Sequence, residues 1–447
     1  MPSESTADAF ATSSRPTQVL SVSDGIAIVC GMVIGAGIFR APAIVASNVS
    51  SSAGFLLAWA LGGVVSLCGA LVYAELSSRY PEAGGEYAFM ARGLGKGPAF
   101  AFAWSRMTVI QTGSIAAVAF VFGDYASVIL RLGSHGPALY AALGIVLLTA
   151  LNLAGTVGSK TFQKFMQVVL VVALLSLGIA GLLVGNPPKA AAAGSGSFGS
   201  AMIFVLLTYG GWNEAAYLAG EVRNARRNML RILIGGVLLV TCLYLLINIA
   251  YLSVLGLDGI RASNVVAADL MRIVAGEAGA KLLALAICLA TITTVNAAIF
   301  TGARTTYAFG RDFALFARLG IWRERGSTPA NALLLQGALA LALVGAGALT
   351  PDGFAAMVAY TAPVFWTFFL LTAVTIFVFR KRDGSPAGYR VPLYPVIPAA
   401  FCLMCVYMLY SSVAYVHAAV SVSGPVIAGV IVMAAGIPVY LIAGRSR

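Results

Sequence analysis

Two glycine-rich patches carry the groups best suited to holding a ligand. The first is Gly31-Met-Val-Ile-Gly35-Ala-Gly37-Ile-Phe39 and the second is Thr208-Tyr209-Gly210-Gly211-Trp212-Asn213. Glycine costs helix stability and allows dihedrals and close approaches that other residues resist. If the chain unwinds at the first patch, the N–H groups of Ala36, Gly37 and Ile38 open a new half-helix whose dipole suits a carboxylate. The carbonyls of Val33 and Ile34, ending the preceding half, suit an ammonium group, as do those of Leu207 and Thr208 in the second patch. Backbone alone can then read both ends of a zwitterion. Gly31 and Gly35 equally fit a GxxxG packing seam between helices, and the second patch is what favours a site.

There, Tyr209, Trp212 and Asn213 flank Gly210 and Gly211, so a closable aromatic and a polar amide stand beside yielding backbone. Trp212 lies too deep in its apolar run to be an interfacial anchor. Glu214 adjoins it, and an acidic residue at membrane depth is costly and usually functional. It can serve as a proton site, a cation selector or the structural partner of an arginine. Asn296, in Thr293-Thr294-Val295-Asn296, is a second cavity-facing candidate. Gln111 is a further one, while Arg106 can snorkel toward the inner interface.

No Ser/His/Asp set, phosphate loop or metal cluster accompanies these groups, so neither an enzyme nor a bound cofactor or metal is expected. His135 and His417 stand alone, and residues 194–199 match GxGxxG by chance, with no strand before them. The six cysteines (Cys30, Cys68, Cys242, Cys288, Cys402, Cys405) all fall in apolar runs and read as small hydrophobes, Cys402 and Cys405 included despite their CxxC spacing. Asn48-Val-Ser50 is a glycosylation sequon of consequence only in a eukaryotic secretory host.

The elements that must position the patches are membrane spans. A chain that is 60% hydrophobic and 10% charged is no soluble domain. Twelve apolar runs reach bilayer length: 22–46, 54–78, 97–130, 137–156, 162–185, 200–221, 229–256, 280–309, 330–349, 353–379, 393–417 and 422–443. A helix broken at that depth exposes peptide groups that lipid cannot satisfy, so they must line an enclosed site, as in carriers with discontinuous helices. The net charge of +12 does not signal nucleic acid. With both termini cytoplasmic, 21 Lys and Arg fall inside and 6 outside, which is topology. Residues 1–21 read as a flexible cytoplasmic tail. Runs 22–185 and 200–379 each open with a glycine-broken helix and start on opposite sides, the layout of an inverted repeat. The segment 393–443 stands outside it. Residues 80–96 suggest a short interfacial helix, 262–278 an amphipathic outer stretch, and 186–199 a loop.

Several stretches together resemble the amino acid–polyamine–organocation (APC) family, closest to bacterial relatives of the L-type amino acid transporter light chains. They are Ile34-Gly-Ala-Gly-Ile-Phe39, Tyr73-Ala-Glu-Leu76, Pro81-Glu-Ala-Gly-Gly-Glu-Tyr87, Tyr209-Gly-Gly-Trp-Asn-Glu214, Phe300-Thr-Gly-Ala-Arg304 and Tyr389-Arg-Val-Pro-Leu-Tyr-Pro395. The resemblance runs from about residue 24 to 420. It implies an all-α integral membrane protein of twelve transmembrane helices in the leucine-transporter-type 5+5 inverted repeat, with helices 1 and 6 discontinuous. It also implies a secondary transporter of amino acids in a bacterial inner membrane, with the substrate carboxylate on Ala36 and Gly37 and its amino group near the carbonyls of Val33, Ile34 and Leu207.

The chain departs from the family in four places. Leu207 stands where members often carry an aromatic gate. The span-5 slot that often holds a lysine, counted from Gln163, falls near Leu170, and Lys160 and Lys164 lie too near the cytoplasmic end. Ala297 and Ala298 occupy the span-8 positions that would supply sodium-binding hydroxyls. Exchange or uniport of small or neutral amino acids is therefore expected over sodium symport, with proton coupling through Glu214 and polyamine or organic-cation transport as alternatives. Residues 131–136 lack the cysteine through which eukaryotic light chains join a heavy subunit, so no disulfide-linked partner is expected.

Overall fold

Ser21 and Asp24 start the first helix in a reciprocal capping box: the Ser21 hydroxyl accepts the Asp24 N–H at 3.2 Å and the Asp24 carboxylate accepts the Ser21 N–H at 3.1 Å. Helix α1 (Val22–Val33) ends where Ile34 leaves helical geometry at ψ 86°, and the chain resumes as α2 (Gly37–Ser47), bent 53° from α1. The computed structural model describes residues 19–81, 85–155, 160–185, 196–324, 327–384, 388–418 and 420–445, with side chains at 160–164, 415–423 and 444–445 left aside. Most of the N-terminal tail, residues 82–84 of the 80–96 segment, most of the 186–199 loop and the side chains of Lys160, Gln163, Lys164 and His417 thus lie outside the described residues.

Next come α3 (Ser52–Arg79), the short α4 (Gly85–Gly93), and a rod from Lys96 to Ile129. That rod is α5 (Lys96–Ser105), a π-helical turn (Arg106–Ile110) and α6 (Gln111–Ile129). Then follow α7 (Gly136–Leu153), α8 (Lys160–Val184), α9 (Phe198–Thr208), a 3-10 segment (Trp212–Leu218), α10 (Ala225–Ala262) and α11 (Val266–Asp312). The last four helices are α12 (Ala330–Ala348), α13 (Gly353–Asp383), α14 (Val396–Ala418) and α15 (Val420–Arg445). Among the described residues the only strand-type pairings are two isolated bridges, Leu20 with Val222 and Arg323 with Thr328.

Among the described residues ten helices are long and apolar enough to cross a membrane, and the bent α1–α2 pair makes eleven. The sixth apolar run is different. Helix α9 has 11 residues, about 16 Å of rise and half a bilayer. At Gly211, φ +112° turns the chain into the 3-10 segment. Glycines also shape two long helices: Gly256 (φ 68°) bends α10 and Gly276 (φ 69°) bends α11. The amphipathic stretch expected at 262–278 is largely the opening of α11, before its bend.

Leu143, Leu147 and Leu151 on α7 are exposed, as are Val168, Val172 and Ile179 on α8 and Leu441 on α15. Apolar residues a helical turn apart and turned outward are what a lipid-facing surface requires. The polar residues go inward, around a core where α10 packs on α3 and α1, and α2 packs on α9.

Candidate functional site

The two broken helices meet face to face. A Cβ on Gly37 would stand 2.8 Å from the Thr208 hydroxyl, and one on Gly211 would stand 2.6 Å from the Met32 carbonyl. Glycine is thus required at both points by close approach, and at Gly211 by its left-handed φ as well. From α10 the buried Tyr244 hydroxyl reaches across, 2.8 Å from the Val33 carbonyl and 3.2 Å from that of Thr208. The Leu207 carbonyl accepts the Gly210 N–H at 2.9 Å, and the Ile34 N–H returns to Cys30 at 2.7 Å. Gly37 and Ile38 open α2, where N–H groups lack an intrahelical acceptor and meet the positive end of the dipole.

Beside the breaks lies a buried ionic cluster. Arg106, in the π-helical turn, donates from Nη2 to both Glu214 oxygens at 2.9 Å. Its Nη1 lies 3.8 Å from Glu86 of α4, and its guanidinium stands 5.1 Å over the Tyr217 ring. Glu86, 4% exposed, also accepts from the Tyr73 hydroxyl at 2.6 Å, the Asn213 amide at 3.2 Å and the Tyr217 hydroxyl at 3.3 Å. In the first turn of α2, Arg40 pairs with Asp352 at 2.6 Å and with Asp124 at 3.3 Å. A cavity of about 270 Å³ opens there, lined by Arg40, Asn48, Arg261, Asn264 and Asp352 among others.

The model of the amino acid permease family matches residues 20–437. The chain belongs to that family. Its relatives include the b(0,+)-type amino acid transporter 1 of Rattus norvegicus, 30% identical over 87% of this chain and 81% of the relative. A serine/threonine exchanger of Bacillus subtilis, SteT, is 26% identical over 83% of this chain and 86% of its own length. The large neutral amino acids transporter small subunit 2 of Mus musculus is 27% identical over 98% and 84%. With its long apolar helices, this permease is a multi-pass membrane protein.

The remaining residues singled out in the sequence are dispersed. Tyr209 is wholly buried against α3, where its hydroxyl donates to the Trp59 carbonyl at 3.0 Å and its ring meets Tyr244 edge-on at 5.1 Å. Trp212 is stacked on Phe369 of α13 at 5.6 Å and set edge-on to Tyr73 at 5.1 Å. Asn296 takes its hydrogen bond from Asn152 of α7 at 2.7 Å, a helix remote in sequence from both patches. Gln111 donates to the Ala298 carbonyl at 2.9 Å and so ties α6 to α11. Arg106 does not snorkel: it is 9% exposed because two carboxylates hold it inward. The α8 residue that meets α1 is Gln167, one turn before Leu170, with its Oε1 2.7 Å from where a Cβ on Gly31 would stand.

Sequence reasoning passed over Tyr244 and Glu86. Nothing local marks Tyr244, one of two tyrosines in its apolar run. Glu86, by contrast, follows the sequence Pro81-Glu-Ala-Gly-Gly85 and precedes an aromatic stretch, where a carboxylate without a neighbouring cation in sequence is a signal that its charge is met in space.

Proposed function

We propose that this permease exchanges small or neutral amino acids by alternating access, binding one zwitterion where α1, α2 and α9 break. The observation that carries the reading is Tyr244, whose single hydroxyl lies within hydrogen-bond reach of a carbonyl from each break. A point within reach of both carbonyls is also a point where one ammonium group can be held. The carboxylate then falls to the N–H groups of Ala36, Gly37 and Ile38, and Leu207, Tyr209, Gly210, Trp212 and Asn213 shape the neighbourhood. Gln111 and Asn296 act at one remove, through the packing of α6, α7 and α11.

We assign twelve spans, the sixth being α9 with its 3-10 continuation, in two inverted repeats (22–185 and 200–379) followed by α14 and α15. Both termini are cytoplasmic, in a bacterial inner membrane, on the charge asymmetry of the loops. The serine/threonine exchange in the name of the Bacillus subtilis relative supports small substrates and exchange. Alanines at 297 and 298 support sodium independence. Glu214 already meets Arg106, which takes from the organic-cation reading the carboxylate it would rest on. All six cysteines belong to apolar runs, which supports a chain without a disulfide-linked partner.

The test is uptake into proteoliposomes preloaded with single amino acids, with sodium and proton gradients imposed separately. Counterflow of small neutral amino acids without either gradient is expected. No amino acid moving under any regime would end the reading.

A further inference from the structure

Glu86 stands on α4, outside the spans, yet its carboxylate is buried among groups from three other segments: Tyr73 of α3, Arg106 of the π-helical turn, and Asn213 and Tyr217 of the 3-10 segment. Glu214 faces the same guanidinium from the other side. An ionised carboxylate only accepts hydrogen bonds, so Asn213 must turn its Nδ2 toward Glu86. Its Oδ1 is then the atom that faces back into the chain, where it accepts the Gly211 N–H at 3.3 Å. Gly211 in turn presses on the Met32 carbonyl of α1. A single chain of contacts thus runs from Glu86 through one amide to the point where the two breaks touch.

We infer that Glu86 is a positioning residue for substrate binding: its charge dictates which end of the Asn213 amide holds Gly211, and so fixes the left-handed turn beside the substrate site. This rests on the amino acid site proposed above. A neutral side chain of the same shape, which can donate as well as accept, releases the choice. Asn213 can then present either end, and the Gly211 N–H is no longer held. Burial raises the Glu86 carboxyl above the usual carboxylate range, and the Glu214 charge adds to this. Protonation of Glu86 therefore works the same release.

The test compares Glu86→Gln with Tyr73→Phe in reconstituted protein whose wild type exchanges an amino acid. If Glu86 were only a brace, Tyr73→Phe, which removes its shortest bond, would do equal harm. Positioning through charge predicts at least a fivefold rise in KM for Glu86→Gln and less than a twofold change for Tyr73→Phe. Equal KM values in wild type and Glu86→Gln, or equal shifts in both variants, overturn the inference. Should Glu86→Gln not fold, the wild type answers. Its substrate affinity, measured by calorimetry, must weaken severalfold as the pH is lowered from neutrality, and that dependence must vanish in Asn213→Ala. A flat wild-type profile overturns the inference. Wild type that moves no amino acid is a different result and removes the proposed function itself.

Discussion

The Tyr244 hydroxyl lies 2.8 Å from the Val33 carbonyl, on the last residue of α1 before the chain unwinds. One proton is shared between that carbonyl and the one on Thr208, so the two acceptors are under-satisfied by hydrogen-bond count. Tyr244→Phe removes the donor and leaves buried carbonyls unmet, a loss of about 1–3 kcal/mol. An ammonium group at the same point would restore part of it. Thermal unfolding of the variant is expected to show a lower midpoint than wild type without substrate, and a larger upward shift on adding it. Equal shifts in the two proteins would mean that the amino group binds elsewhere.

Two glycines only two residues apart should respond very differently to a methyl group. At Gly37 the added carbon lands 2.8 Å from Thr208 Oγ1 and 3.0 Å from its Cγ2, too close without movement of α9. At Gly35 the nearest atom is the Val33 carbonyl oxygen at 3.8 Å, an ordinary contact. Gly37→Val is expected to insert in the membrane and lose measurable substrate binding, whereas Gly35→Ala should stay within about tenfold of wild-type affinity, about 1.4 kcal/mol. Retained binding in Gly37→Val would refute the carboxylate assignment.

The breaks were legible from sequence because glycine clustering is local. Gly35 and Gly37 needed only neighbours in the chain to be noticed, and the span count came close because apolar length is local too. What was not legible is which faces meet. Asn296 and Asn152 lie 144 positions apart, and no periodicity in either run says that one reaches the other. Tyr209 was read as a gate from its place beside Gly210, but its ring direction depends on α3 and α10 packing behind it. Arg106 looked like a snorkelling residue because its two carboxylates come from α4 and the 3-10 segment. Pairing across distant segments is decided by packing, and a single sequence holds no record of it.

Arg106 serves two carboxylates, so its removal and the removal of either carboxylate are unequal events. Arg106→Ala strands Glu86 in a dry site, and uncompensated buried charge costs about 3–5 kcal/mol. Glu214→Gln removes a partner whose side chain is 35% exposed, where water screens the pair, and a loss under about 1 kcal/mol is expected. The Arg106 variant should express poorly or unfold early in a detergent thermal scan, while Glu214→Gln stays near wild type. Transport settles the role of Glu214: if it is a structural partner, exchange by Glu214→Gln answers an imposed proton gradient as the wild type does. A gradient response present in wild type and lost in the variant, with the fold intact, would make it the proton-coupling group.

In the first turn of α2 the same logic separates two aspartates that share Arg40. Asp124 is the more enclosed, its side chain 17% exposed, while Asp352 at 28% borders the cavity beside Asn264. Asp352 also caps α13 by accepting the Ala355 N–H at 3.0 Å, a bond that asparagine can keep. Asp352→Asn therefore removes charge without removing the cap, and a small change in stability is expected. Asp124→Asn removes the charge 3.3 Å from the Arg40 Nε, a buried group that makes no hydrogen bond even beside Asp124, and should lower the unfolding midpoint more. If Arg40 latches α2 to α13 when the site is closed on this side, Asp352→Asn should also speed labelling of a cysteine placed at Ser47, which lines the cavity. Labelling at the wild-type rate, with stability likewise unchanged, would leave the Arg40–Asp352 pair a surface contact with no part in closure.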